Sequence, residues 1–389
     1  MTGMGLVQGA QLAHLVVKPE LACTGACPTC SSRKALHRGV DRSQILAFDE
    51  WRDLFSDARS MGCARLTISG GEPTLYGGLA EMIAMGKSHG WKVDLNSNGS
   101  RIDRAMASRL VNAGLDSALI SLYAADAALH DRLRGSPGLW RRAEGALEAL
   151  GEERDSRAPA LRVGIQTLLS RENFRGFPEL LELAFRLRVC FIAFSYLEGD
   201  HAERKFLLDE KDIAEFKSQV VPRALAVIRA ARTDRRSQWL ARAALGSLYA
   251  GNARREKELA LGIYRKPRPC AIPSFLSIVL ANGDVHPCNM VEYTHQPVIG
   301  NLRERRLPEL WRSEAWRDFR RRGFALCRYC PMADQVVIPI SRPPRLALLQ
   351  TVLTGTPLRR FRTGIRGRAL RHSGKARRRR PAVKPTGRE

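Results

Sequence analysis

Cys23-Thr24-Gly25-Ala26-Cys27-Pro28-Thr29-Cys30 is the stretch on which the reading of this chain turns. Three thiols fall within eight residues, directly after an apolar run, Leu12 to Val17, that reads as a strand. Thiolates grouped on one tight loop suit an iron–sulfur cluster. A four-iron cluster held by only three cysteines leaves one iron open to chemistry. The competing reading is a structural zinc site, with His37 as a fourth ligand beside Cys23, Cys27 and Cys30. The triplet alone does not choose between them.

Downstream, helical and extended patterns alternate. Apolar residues at helical spacing mark Phe48 to Ser60, and a strand from Arg65 to Ser69 ends in Gly70-Gly71-Glu72-Pro73. Helix and strand then alternate through Leu79–His89, Trp91–Asn96, Arg101–Ala113, Ser117–Tyr123, Leu139–Leu150, Leu161–Leu169, Phe174–Leu187, Cys190–Leu197 and Asp209–Ala230. Such alternation predicts parallel βαβ units in the α/β class. With no repeat of the first strand to close the ring, it predicts a partial (β/α)6 barrel. Sites in barrels gather at the C-terminal ends of the strands. The cysteine loop, the Gly-Gly-Glu-Pro turn, Asn96-Ser97-Asn98-Gly99, Ser121 and Gln166 all fall at or near such ends. Cys63 and Cys190 fall at the opposite ends and read as small buried hydrophobes.

A polar helical bridge is expected over residues 233–265. Beyond it, Phe275–Val279 and Asp284–His286 flank Ala281-Asn282-Gly283, a hairpin-turn signal. A helical pattern from Pro308 to Arg322 then leads to Cys327-Arg328-Tyr329-Cys330.

Cys23-x3-Cys27-x2-Cys30 after the first strand, with Gly70-Gly71-Glu72-Pro73 after the second, resembles the radical S-adenosylmethionine (SAM) superfamily over residues 10–232. The resemblance implies that the three thiolates hold a 4Fe–4S cluster whose open iron is chelated by the amino and carboxylate groups of SAM. Reduction then cleaves SAM to a 5′-deoxyadenosyl radical that removes a hydrogen atom from substrate, chemistry that the cofactors carry and the protein positions. It implies that Gly70, Gly71, Glu72 and Pro73 receive the SAM amino group, the glycines allowing close approach. Asn98 and Ser121 are expected to contact ribose or carboxylate. His130-Asp131-Arg132-Leu133-Arg134-Gly135-Ser136-Pro137-Gly138 looks like the segment after the fourth strand in the subgroup with C-terminal cysteine-rich extensions. That places Arg134 either against a carboxylate of SAM or substrate, or at the cap of a surface loop. One departure stands out: the family usually has an aromatic residue before the third cysteine, and here it is Thr29.

Cys270, Cys288, Cys327 and Cys330, with Gly283 between the first two, are similar to the truncated SPASM extension often called a twitch domain. The resemblance implies that a hairpin and short helix within residues 266–336 hold one auxiliary 4Fe–4S cluster, saturated by four cysteines and able to pass electrons. A zinc ribbon uses the same thiol spacing.

Composition narrows the setting. The 389 residues carry 44% hydrophobic content and a net charge of +25. Residues 359–389 hold thirteen Lys or Arg and one acid, so about half of the excess sits in a basic tail, residues 337–389, that reads as disordered. Its apolar and arginine-rich stretch suits an anionic membrane surface or an acidic partner; no specific nucleic-acid site is expected. No apolar run reaches the ~20 residues of a membrane-spanning helix, and Met1–Gln11 does not read as a secretory signal. Nine cysteines without an export signal point to metal or redox use in the cytoplasm.

The leading functional expectation is oxidation or epimerisation of a carbinol centre in a sugar or aminocyclitol, an oxidoreductase or epimerase reaction. Glu198 is the candidate base there, with Tyr196 and Asp200 beside it, and a flavodoxin or ferredoxin the expected electron donor. The alternative is a peptide maturase acting on a ribosomal precursor, set second because only twenty-two residues precede Cys23. A zinc-stabilised, non-catalytic adaptor stands third.

Overall fold

The chain folds around a ten-stranded sheet whose strands follow the order 10-6-5-4-3-2-1-7-8-9. The computed structural model describes residues 10–30, 44–196, 205–231, 272–288, 298–326 and 336–339, together with Leu245. Strands β1 (His14–Glu20), β2 (Arg65–Gly70), β3 (Lys92–Ser97), β4 (Ser117–Ser121), β5 (Arg162–Leu169) and β6 (Phe191–Tyr196) pair in parallel, each with the next. Helices α1 (Phe48–Ser60), α2 (Leu79–Ser88), α3 (Arg104–Asn112), α4 (Ala127–Arg134), α5 (Leu139–Ser156) and α6 (Phe177–Arg186) fill the crossovers. This is the partial (β/α)6 barrel that the alternation predicts.

Register separates two faces. Leu15 pairs Leu66, Leu66 pairs Val93, Leu95 pairs Ala118, Ile120 pairs Ile165, and Ile165 pairs Ile192. This apolar face joins Trp51, Phe55, Ile83, Leu110, Leu147 and Leu181 of the helices in one core. The opposite face carries His14, Lys18, Arg65, Thr67, Asp94, Asn96, Ser121, Arg162 and Gln166. A parallel sheet covered by helices on both sides would be apolar on both. The polar face is the barrel interior.

Several elements differ from expectation. Strand β1 continues past Val17 to Glu20 because partners flank it on both sides. Helix α4 is short and polar, and only its caps would betray it: the Asp126 carboxylate accepts Leu129 N–H at 2.7 Å and Gly135 ends it at φ 58°. The helix expected over Asp209–Ala230 is α7 (Glu210–Glu215) and α8 (Val221–Ala230), joined by a π turn, Phe216–Val220. Pro222 brings no N–H to the helical ladder at that point.

The C-terminal hairpin is built into the barrel sheet. Strands β7 (Leu276–Leu280) and β8 (Asp284–His286) meet at Asn282-Gly283, with Gly283 at φ 88°. Strand β7 also pairs in parallel with β1, from His14 opposite Leu276 to Lys18 opposite Leu280. A short β9 (Gly300–Asn301) follows β8. The helix expected over Pro308–Arg322 is broken at Ser313 into α9 (Leu307–Arg312) and α10 (Glu314–Leu326). Arg306 binds Asp57 of α1 at 2.7 and 2.8 Å, tying this part to the barrel. Residues 337–339, read as the start of the disordered tail, instead complete β10 (Val336–Pro339), antiparallel to β6. Its run of Val336, Val337 and Ile338 is β-branched. His37, Glu198, Asp200, Cys270, Cys327 and Cys330 lie outside the described residues, as do the tail beyond 339 and the bridge 233–265 except Leu245.

At the N-terminal end of the barrel interior, His14 Nε2 lies 2.9 Å from Thr67 Oγ1, and Arg65 pairs with Asp94 at 2.5 Å. Burial, with Arg65 nearby, pushes the His14 pKa down to about 3 from 6.5. An unfolded chain therefore takes up a proton near pH 6.5 that the fold refuses until about pH 3, so acid favours unfolding across that window. At pH 5 this histidine is expected to cost about 2 kcal/mol of stability relative to pH 7. Urea unfolding of His14→Gln at the two pH values checks it: the acid loss shrinks, whereas an unchanged loss would refute the assignment.

Candidate active site

The cysteine loop is seated by backbone contact. As the chain leaves β1, the Glu20 carboxylate accepts the N–H groups of Leu21 and Ala22 at 2.9 and 2.8 Å. Gly71 N–H donates to Glu20 O and Glu72 N–H to Ala22 O, each at 2.8 Å. On the other side, Ala26 N–H donates to Arg134 O at 3.0 Å. A Cβ on Gly70 would stand 2.4 Å from Glu20 O, one on Gly71 2.3 Å from Ala22 O, and one on Gly135 2.4 Å from Ala26 O. These three positions admit no side chain. The two glycines of the Gly-Gly-Glu-Pro turn pack against the carbonyls of Glu20, Leu21 and Ala22, the stretch that leads from β1 into the cysteine loop.

Glu72 is fully buried. Its Oε1 accepts from Thr74 N at 3.1 Å, Thr74 Oγ1 at 2.6 Å and Ser97 Oγ at 2.7 Å, and its Oε2 from Asn98 N at 2.7 Å. The carboxylate thus clamps the end of β3 to the turn after β2. Pro73 opens a 3-10 turn, Pro73–Leu75, with Glu72 as its cap. The Asn98 side-chain amide donates to Thr24 Oγ1 at 2.9 Å and to Cys23 Sγ at 3.6 Å, while its Oδ1 accepts Ser100 N–H at 2.8 Å. Ser121, half-buried, pairs with Gln166 at the end of β4.

Cys23 and Cys30 are half-buried and Cys27 is buried. Burial raises the Cys23 thiol, with the Gly25 N–H at 3.3 Å working the other way. Cys23 Sγ and Cys27 Sγ stand 3.7 and 3.5 Å from the point a Cβ on Gly25 would occupy. Among the described residues no three His, Cys, Asp or Glu side chains are gathered round a single metal ion. A cluster uses its thiolates differently, each on its own iron, and an all-sulfur donor set on a glycine-cleared loop fits one.

Arg134 is buried at the end of α4, its guanidinium 4.5 Å over the Tyr123 ring. Burial works against its charge, yet Tyr123 and the thiols of Cys27, Cys23 and Cys30 more than offset this and hold it protonated. The sequence reading missed four neighbours. Lys18 is buried on β1 with Cys30 as an electrostatic partner. Tyr123, whose ring lies under the Arg134 guanidinium, donates its N–H to His130 Nδ1 at 3.0 Å. Gly135 is the third glycine of the seat.

Cys288 lies buried in a second apolar cluster with Val16, Leu21, Ile278 and Leu280, where the hairpin meets the end of β1. Cys63, before β2, sits with its Sγ 3.2 Å from Arg65 O, and burial pushes the thiol up to about 11. Cys190 precedes β6 and lies 3.8 Å from Arg154 Nη1. Both are at the N-terminal end of the barrel, as expected, but Cys190 is half-buried beside Arg154 and is not the small buried hydrophobe read from the sequence.

Comparison with known proteins places this geometry. The radical SAM superfamily model matches residues 19–184, and the SPASM iron–sulfur cluster-binding domain matches residues 270–331. The PqqA peptide cyclase of Xanthomonas euvesicatoria is 29% identical over 322 residues, covering 80% of this chain and 78% of that protein. That of Rhizobium meliloti is 26% identical over 327 residues, covering 82% and 79%. Streptococcus suis SuiB bound to S-adenosylmethionine shares the fold with a TM-score of 0.58 and 16% identity, over 80% of this chain and 68% of that one.

Gly135→Ala is expected to unseat the loop and cut the iron bound on anaerobic reconstitution by about half. Gly90→Ala is the control, since φ is 79° there with nothing within 4 Å. Equal iron in the two variants would sever the loop from its seat.

Proposed function

We propose that this chain, which the radical SAM and SPASM family models match over residues 19–184 and 270–331, is a radical SAM enzyme that acts on a peptide, forming a cross-link or oxidising a side chain. Similarity to the peptide cyclases carries this reading, because it spans both domains and not the radical SAM region alone. The carbinol-oxidising or epimerising reading, set first from the sequence, has no comparable support. The polar barrel interior would suit a sugar as well as a peptide amide, so the lining favours neither. The zinc adaptor reading yields to the two family matches.

In this proposal Cys23, Cys27 and Cys30 hold the SAM-binding 4Fe–4S cluster. When bound, cluster and SAM supply a 5′-deoxyadenosyl radical that abstracts a substrate hydrogen. The backbone of Gly70, Gly71, Glu72 and Pro73 presents its edge to the SAM amino group, with Glu72 holding that edge against β3. Ser121 and Gln166 face the barrel mouth, where a hydroxyl and an amide can orient ribose or peptide groups. Lys18 closes the β1 side. Cys270, Cys288, Cys327 and Cys330 hold the auxiliary cluster in this proposal, and the packing of Cys288 with Leu21 supports a site near the cysteine loop. A flavodoxin- or ferredoxin-type donor supplies the electron. The boundaries 10–232 and 266–336 serve as working limits for two units that share one sheet. Among the described residues no helix is long and apolar enough to cross a membrane.

The decisive experiment follows deuterium. Anaerobically reconstituted protein is incubated with SAM, a reductant and either a deuterated precursor peptide encoded beside the gene or carbinol-deuterated aminocyclitols and sugars. Transfer into 5′-deoxyadenosine is expected from the peptide; transfer from a sugar or aminocyclitol alone would overturn the proposal. Reconstituted protein should carry about eight irons, and Cys270→Ala/Cys288→Ala about four while still cleaving SAM. Loss of cleavage together with the iron would contradict separable sites.

A further inference from the structure

We infer that the groove between Ser100 and Arg142, beside the cysteine loop on the helix side of the sheet, is the docking face for an acidic one-electron carrier protein of the flavodoxin type. This rests on the assignment of Cys23, Cys27 and Cys30 as cluster ligands.

In the proposed reaction SAM and substrate occupy the barrel mouth, which leaves the outward side of the loop for a carrier. Thr24 and Pro28 are exposed there, and Cys23 is half-buried. Two segments flank Thr24. Ser100 Oγ lies 2.6 Å from Thr24 Oγ1, and Ser136 Oγ donates to Thr24 O at 3.3 Å. Each segment leads at once to an exposed cation. Arg101 follows Ser100, and Arg142 Nη2 donates to the carbonyl of Pro137, the residue after Ser136, at 3.1 Å. Gly99 abuts Ala143 and Ala146 of α5, so this surface belongs to the helix layer and not to the barrel interior.

Both arginines line a groove of about 440 Å³ between the start of α3 and α5. Its floor is made of small residues, Ala149 and Gly145, where a Cβ would have nothing within 4 Å. A protruding loop of a partner has room there. The charges along the groove are sorted. The Asp103 carboxylate is spent on capping α3, accepting Met106 N–H at 2.8 Å, and Arg104 pairs with Glu152 at 2.9 Å. Glu148 remains, but at 1.5 Å per residue Glu148 and Glu152 stand about 9 and about 15 Å farther along α5 than Arg142. Among the described residues neither Arg101 nor Arg142 has a carboxylate partner. The segments touching Thr24 therefore carry two guanidinium groups open to carboxylates of another protein. Such a field steers an acidic partner to the loop and orients it, and the net charge of +25 acts in the same direction. The path inward is short: Thr24 adjoins Cys23, and the Asn98 amide bridges Thr24 Oγ1 at 2.9 Å and Cys23 Sγ at 3.6 Å. One electron passes; the carrier's flavin goes from hydroquinone anion to neutral semiquinone, the oxidised cluster is reduced, and no proton moves.

Two measurements on anaerobically reconstituted holoenzyme test this. One is the Kd for flavodoxin at low salt. The other is the rate of 5′-deoxyadenosine formation driven either by flavodoxin hydroquinone or by photoreduced deazariboflavin, a small uncharged donor. In Arg101→Glu/Arg142→Glu the Kd should rise and the flavodoxin-driven rate should fall, each about tenfold. The gap should close to about twofold at ~0.5 M salt, where surface charges are screened. Iron content and the deazariboflavin-driven rate should stay within about twofold of the parent. Arg101→Lys/Arg142→Lys, which keeps the charge, should keep most of the flavodoxin-driven rate. Equal Kd and equal rates in parent and charge-reversed protein overturn the inference, as does a loss equally large with deazariboflavin. A raised KM for the precursor peptide beside an unchanged flavodoxin Kd gives the groove to substrate and overturns it too. Parent protein that binds no iron at the loop would instead sink the ligand assignment, which separates the two failures.

Discussion

The structure depends on how closely two pieces of backbone can approach. The chain leaving β1 lies against the turn after β2 with carbonyl oxygens where Cβ atoms of residues 70 and 71 would be, and α4 ends with Gly135 against Ala26 O in the same way. Hydrogen bonds from Gly71, Glu72 and Ala26 close these contacts. A loop of three cysteines has no regular secondary structure to hold it, so its shape comes from the strand ends and helix cap that surround it. Without those approaches the thiols would be three side chains on a flexible turn. With them, their positions are set before any iron arrives.

The sheet supplies the second condition, through its asymmetry. Its outer face is a continuous apolar surface under the helices, and this is where the hydrophobic stabilisation lies. Its inner face holds His14, Lys18, Thr67, Asp94, Asn96 and Gln166, groups that a fold would not bury for stability. At the N-terminal end these groups satisfy each other, as His14 with Thr67 and Arg65 with Asp94 do. Toward the C-terminal end they face the mouth beside the cysteine loop. The hairpin β7–β8 extends this sheet beyond β1, so Cys288 packs in one apolar cluster with Val16 of β1 and with Leu21, two residues before Cys23.

Charge is the third element. Glu72 and Arg134, both buried and of opposite sign, stand on either side of the loop. Glu72 is held by four donors and acts as a clamp between β2 and β3. Arg134 is held over the Tyr123 ring, and its carbonyl accepts the Ala26 N–H of the loop.

Periodicity and punctuation made most of the fold legible. The cysteine spacing, the Gly-Gly-Glu-Pro turn, the Asn-Gly hairpin and the alternation of helix and strand are local properties of the chain, and local sterics and hydrogen bonding write them into sequence. Helix α4 and strand β10 escaped because one is short and polar and the other runs from Val336 into what looked like a basic tail; each exists through its packing partners. The choice between a metabolite and a peptide also lay beyond the residues of the barrel mouth, since a polar lining serves both. The sequence by itself determined that three thiolates would stand at the rim of a partial barrel, because their spacing and the strand before them need no distant partner. Only the tertiary structure decided that the glycines pack against the chain leaving β1, that Asn98 turns to Cys23, and that the Arg134 carbonyl holds Ala26. Those are contacts between segments dozens of residues apart, and backbone closeness across such distances leaves no period in a sequence.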